Sequence, residues 1–128
     1  MPKYSLSILA LSLGLTIIFL SVMPSSLPPV NVTVFGEDKI AHFLAYYIFS
    51  TCLGLAFNLD WKVKRTRLVV IIVSFSFGMV LELIQEYLLP HRTFEVFDLL
   101  ANSIGICAFV FSGKTIEKIV VKSGIFIN

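Results

Sequence analysis

Charge is what this sequence has least of. Asp, Glu, Lys and Arg make up 14% of its residues and hydrophobic residues 57%, where a soluble domain has about 25% charged residues. Mean hydropathy is +0.92. So little charge cannot coat a folded surface in water, and the solvent of this chain is mostly lipid. The net charge is only +2, and no Lys/Arg block alternates with exposed aromatics, which excludes nucleic acid as a partner. Cysteine is scarce as well. Cys52 and Cys107 both sit in apolar runs, about 21 Å and about 14 Å along their helices from one membrane face. At those different depths they read as buried, inert thiols and not as a disulfide. Glycine-rich phosphate loops are missing, so no cofactor is expected. Compact ligand spacings such as H-E-x-x-H are missing too, and no metal centre is expected. There is no internal repeat and no low-complexity segment, and the 128 residues suit one domain spanning 1–128.

What is present is a series of long apolar runs. The first, 4–23, is uncharged and long enough to cross about 30 Å of hydrocarbon. No small-x-small site precedes Pro24, so it reads as a spanning helix and not as a cleaved signal. Pro24, Pro28 and Pro29 break it and lead into a loop to Glu37 that holds Asn31-Val32-Thr33, a weak match to a glycosylation acceptor. The second run covers 38–59 and ends in a charged turn, Asp60 to Arg67, with Trp61 at the interface. The third covers 68–89 and is stopped by Pro90. The fourth covers 98–112. Beyond it, Ile116, Ile119 and Val120 fall opposite Lys114, Lys118 and Lys122, the pattern of a short interfacial C-terminal helix. The expected fold is all-α, a four-helix transmembrane bundle.

Orientation follows from the basic residues. With the N-terminus inside, the cytoplasmic side holds Lys3, Lys62, Lys64, Arg65, Arg67, Lys114, Lys118 and Lys122, and the outer side only Lys39 and Arg92. Both termini are then cytoplasmic, in a multi-pass protein of the cytoplasmic (inner) membrane. The acidic residues segregate the other way. Glu37, Asp38, Glu82, Glu86, Glu95 and Asp98 lie toward the outside with His42 and His91, and only Asp60 and Glu117 lie inside. Carboxylates contribute little to topology, so this placement needs another cause.

Helical spacing groups these residues. Asp38 and His42 share a face of the second helix, Gly78, Glu82 and Gln85 form a stripe on the third, and Asp98, Asn102 and Gly105 form one on the fourth. Glu82 lies about 10 Å below the end of its helix, and His42 and Asn102 about 6 Å below theirs. Each stripe carries a small residue deeper down, which lets helix backbones approach. The three stripes are expected to face one another around a shared polar pocket. A carboxylate as deep as Glu82 must face the bundle and meet a donor. Arg92 is the best cation for it, since its guanidinium can grip a carboxylate or phosphate in two places. Lys39 points about 100° away from Asp38 and is expected to snorkel to the surface. Ser103, beside Asn102, is turned away, which disfavours a Ser–His–Asp nucleophile. The plain alternative is a polar clasp joining helix ends, with Asp38 and Asp98 at helix N-termini.

The strings Asp38-Lys39-Ile40-Ala41-His42, Gly78 through Glu82 and Gln85, Pro90-His91-Arg92, and Phe94 to Asp98 followed by Ala101-Asn102-Ser103-Ile104-Gly105 together resemble the VanZ-like family of bacterial membrane proteins. The resemblance covers 38–105, plus the first helix by position. It implies a bacterial envelope protein, in a family named for raising resistance to the glycopeptide antibiotic teicoplanin, and carries over Asp38, Lys39, His42, Glu82, Gln85, Arg92, Asp98 and Asn102 as motif positions. The function expected is the binding or modification of an envelope lipid, a lipid-linked compound or a lipoglycopeptide at an outward-facing polar site. In that site Asp38 orients His42, Glu82 and Asp98 hold or release protons, and Gln85 and Asn102 donate hydrogen bonds beside Arg92 and Lys39. Two rival readings stand beside it, an acid–base hydrolase or transferase acting on a lipid-linked substrate and a purely structural or partner protein.

Overall fold

A computed structural model of the chain describes residues 4–23, 37–57, 64–90 and 92–124. It contains the four helices α1 (Ser5–Val22), α2 (Glu37–Ala56), α3 (Lys64–Leu88) and α4 (Val96–Lys122), and no strand among the described residues. Each helix is long and apolar enough to cross a membrane. At 1.5 Å per residue they run from about 27 Å to about 40 Å.

The distribution of side chains is that of a protein dissolved in lipid. Large apolar groups point outward, Phe111 at 87% exposure and Leu11 at 66%, while Ser50, Ser74, Glu82 and Asn102 are buried. In lipid an outward hydrocarbon costs nothing, and an outward carboxylate is expensive. The inside of the bundle is therefore where the polar residues collect.

Helix ends follow local chemistry. Leu89 precedes Pro90, a position that disfavours helical backbone, and α3 stops at Leu88. α4 begins after Glu95, which is extended, and carries Asp98 in its first turn and Lys122 in its last, each opposite in sign to the helix dipole there. α3 starts at Lys64 instead of Leu68, because Lys and Arg are good helix formers and nothing there breaks the helix. α2 ends at Ala56. The terminal segment expected as a short interfacial helix is helical to Lys122 and continuous with α4; Gly113 lies buried within the helix and does not interrupt it. The Asn31-Val32-Thr33 triplet, Trp61 and His91 lie outside the described residues.

α2 and α4 make the closest pair. Gly105 allows it: a Cβ there would stand on the carbonyl oxygen of Phe43 and 3.0 Å from the Tyr47 nitrogen, both α2 backbone atoms. Further along the bundle, Phe109 of α4 and Val70 of α3 form a core packed by Tyr47, Leu53 and Val110. An aromatic cluster joins α2 to α3, with the Phe49 and Phe77 rings 5.1 Å apart and Tyr46 edge-on to Phe49. Beside it Ser50 donates to Ser74 at 3.0 Å, each hydroxyl fully buried. α1 lies against this frame through Ala10 and Gly14, with a Gly14 Cβ position 3.4 Å from the Phe49 ring. Cys52 is buried and Cys107 exposed, and both are free thiols.

Candidate functional site: an ionic cluster at one end of the bundle

α2 and α4 both start at the end of the bundle where α3 finishes. Each opens with a polar pair four residues apart, Asp38 and His42 on α2, Asp98 and Asn102 on α4. Four residues is about one turn, so each pair lies on one face. The close α2–α4 packing turns those faces together.

The contacts are specific. His42 Nδ1 lies 3.0 Å from Asn102 Oδ1. Asn102 is 2% exposed, and its amide oxygen accepts the Nδ1 proton, which leaves Nε2 facing the other way. Nε2 is 3.7 Å from Asp38 Oδ1 and 3.5 Å from Asp98 Oδ2. The second oxygen of each aspartate goes to Lys39. Its Nζ lies 3.1 Å from Asp38 Oδ2, 2.7 Å from Glu95 Oε2, and in direct contact with Asp98 Oδ1. Asp98 is buried, whereas the side chains of Asp38 and Glu95 are 64% and 52% exposed. The cluster thus has a buried floor and an open mouth. Three carboxylates surround one ammonium, so the site carries excess negative charge.

Lys39 therefore does not snorkel to the surface, contrary to expectation. Helical spacing places its Cβ away from Asp38, but the four-carbon stem curls over the first turn of α2 and brings the ammonium to Asp98. Periodicity predicts where a side chain leaves a helix, and not where a flexible chain ends.

Glu82 is 2% exposed and faces the bundle as expected, but its donor is not Arg92. Its Oε2 accepts the backbone N–H of Glu95 at 3.2 Å. One turn further along α3, Glu86 Oε2 accepts the N–H of Phe94 at 2.6 Å. The two carboxylates hold the segment between α3 and α4 by its amides, and so set the position of Glu95 over Lys39. Arg92 is exposed; among the described residues its guanidinium has no hydrogen-bond or ion-pair partner. Gln85 is buried and donates from Nε2 to the carbonyl of Ser21 at 3.0 Å. It ties α1 to α3 and takes no part in the cluster. Ser103 donates to the Leu99 carbonyl at 2.7 Å, consistent with its being turned away.

Two features escaped the sequence. Glu95 is a full member of the cluster, and the only hint of it was its place three residues ahead of Asp98. Asp38, His42 and Asp98 also offer three ligand-type atoms within 4.8 Å of one another, although no compact metal motif exists. Spacing had grouped Asp38 with His42 and turned Asp98 toward them, but their donors come from two helices, so no compact metal motif marked them.

Four apolar helices, each long enough to cross a membrane, with an ionic cluster gathered at one end define a multi-pass membrane protein. The chain belongs to the VanZ/LLP1 family, whose model matches residues 6–117. It is also similar to an uncharacterized protein of Schizosaccharomyces pombe, with 27% identity over 119 residues, covering 88% of this chain and 68% of the yeast protein. No solved structure matches it.

Proposed function

We propose that this chain binds, and presents for modification, the head group of a membrane lipid or lipid-like amphiphile at the ionic cluster. One observation carries the reading. The partly open cluster of Asp38, Lys39, His42, Glu95 and Asp98 sits directly among exposed apolar side chains of the same helices, Ile40, Val96, Phe97 and Leu100. An amphiphile has that same juxtaposition of charge and hydrocarbon. Its head group meets the cluster, its chains lie along the helices, and the guanidinium of Arg92, without a partner among the described residues, takes a phosphate or carboxylate. A glycopeptide-type compound, lipid on one side and polar on the other, meets the same chemistry.

The same reading places the protein in the cytoplasmic membrane with the cluster outward and both termini inside. Support comes from Lys64, Arg65, Lys114, Lys118 and Lys122, which crowd the opposite end of α3 and α4. Reporter fusions at each terminus test it, and an externally accessible terminus refutes it.

The ligand is tested by native mass spectrometry of the protein released from membranes. Co-purified lipid should be retained by the parent and lost from His42→Ala and Arg92→Ala, with Glu82→Gln reduced. Equal retention by well-expressed variants would sink the proposal. A second reading, acid–base hydrolysis or transfer on a lipid-linked substrate, is favoured by His42, whose ring stands between an amide and two carboxylates. Product formation from lipid-linked precursors by purified parent, and not by His42→Ala, distinguishes turnover from binding.

A further inference from the structure

We propose that Asp38, His42 and Asp98 form a binding site for a divalent transition-metal ion of the zinc or manganese class. The spacing is the first support. His42 Nε2 stands 3.7 Å from Asp38 Oδ1 and 3.5 Å from Asp98 Oδ2. An N–H···O hydrogen bond falls near 2.9–3.0 Å, at most about 3.2 Å, so these groups are not closed on each other. Two ligands about 2.1 Å from a common ion, at angles of roughly 90° to 120°, stand about 3.0–3.6 Å apart. The 3.5 Å separation from Asp98 falls within that range, and the 3.7 Å separation from Asp38 lies just beyond it. Asp38, exposed at the mouth and ion-paired through Oδ2 to Lys39, is the ligand with room to move inward.

The second support is the pose of the imidazole. Metal-bound histidines characteristically give their other ring N–H to an oxygen acceptor, which fixes the tautomer and turns the lone pair to the ion. The buried amide of Asn102 does this to Nδ1. Nε2 is then the ring nitrogen left to face Asp38 Oδ1 and Asp98 Oδ2, the orientation a metal ligand takes.

The third support is how the carboxylates are shared. Lys39 takes Asp38 Oδ2 and Asp98 Oδ1. The opposite oxygens, Asp38 Oδ1 and Asp98 Oδ2, have no other partner among the described residues and face Nε2. Glu95 and the two aspartates outnumber the single ammonium of Lys39, and a divalent ion offsets that surplus of negative charge. One nitrogen and two carboxylate oxygens suit zinc or manganese. They fall short of the six to eight oxygens that calcium takes.

This inference is independent of the lipid reading, and its test uses no lipid ligand. The full chain, purified in detergent and stripped with chelator, is titrated with Zn2+ and with Mn2+ by calorimetry, with Mn2+ followed also by paramagnetic resonance. The parent should bind one ion per chain. Asp38→Asn, which alters an exposed group and leaves packing untouched, should weaken binding at least about tenfold, and His42→Gln should do the same. Lys39→Gln removes the ammonium that competes for both aspartates and should tighten binding at least about tenfold. A parent that shows no saturable binding at millimolar metal overturns the proposal. So does binding that Asp38→Asn and His42→Gln leave unchanged.

Discussion

Replacing Gly105 by alanine tests the helix contact that assembles the cluster. The new methyl carbon would stand on the Phe43 carbonyl oxygen and 3.0 Å from the Tyr47 nitrogen. Both obstacles are backbone atoms, so no rotamer change relieves them and α2 and α4 must separate. Forcing a methyl group into a packed seam costs about 1–3 kcal/mol, and the rigid obstacle puts this case at the upper end. Asn102 lies one turn before Gly105, so the same separation stretches the 3.0 Å bond to His42 Nδ1, a further loss of about 0.5–1.5 kcal/mol. With about 2–3 kcal/mol for the methyl group, the total is about 2.5–4.5 kcal/mol, a fall of roughly 70- to 2,000-fold in the folded-to-unfolded ratio. Denaturant titration in detergent, followed by far-ultraviolet circular dichroism, measures it. Gly78→Ala is the milder comparison, because there the Cβ meets the Tyr46 ring at 3.1 Å and the Asn102 amide at 3.2 Å, contacts that a small shift relieves, at a cost of about 1 kcal/mol. If Gly105→Ala is no less stable than Gly78→Ala, the close α2–α4 contact does not organise the site.

Lys39→Gln should destabilise the chain by about 2 kcal/mol, since buried Asp98 loses its ammonium, with the cost moderated by the partial exposure of Lys39. Adding Asp98→Asn should restore most of that loss in the same titration. Ser50→Ala should cost about 1 kcal/mol by stranding the Ser74 hydroxyl, while the Ser50→Ala/Ser74→Ala double variant should be close to neutral. Glu82→Leu should speed amide hydrogen exchange at Glu95, whereas Glu82→Gln keeps an acceptor there and should leave exchange near the parent rate. Gln85→Ala should loosen α1 by about 0.5–1.5 kcal/mol, read as faster exchange in α1, and leave the cluster intact.

The number of helices, their approximate spans and their burial of polar groups were legible in the order of residues. Each depends on local quantities: the length of an apolar run against the thickness of hydrocarbon, the effect of proline on the residue before it, and the one-turn spacing of Asp38 with His42 and of Asp98 with Asn102. The inward direction of Glu82 and Asn102 was legible for the same reason, because lipid penalises them anywhere else. What each polar group meets was decided by the tertiary structure. Gln85 shares a stripe with Glu82, yet it reaches a carbonyl of α1. Glu82 takes a backbone amide in place of the guanidinium of Arg92, and Glu95 enters the cluster because the segment before α4 is drawn down by two carboxylates of α3. Lys39, the position that helical periodicity sends outward, ends at the centre of the charges. Periodicity specifies the direction of Cα–Cβ bonds on a single helix. Pairing depends on how near two helices come and how far flexible side chains reach, and here that distance is set where Gly105 brings α4 against the backbone of α2.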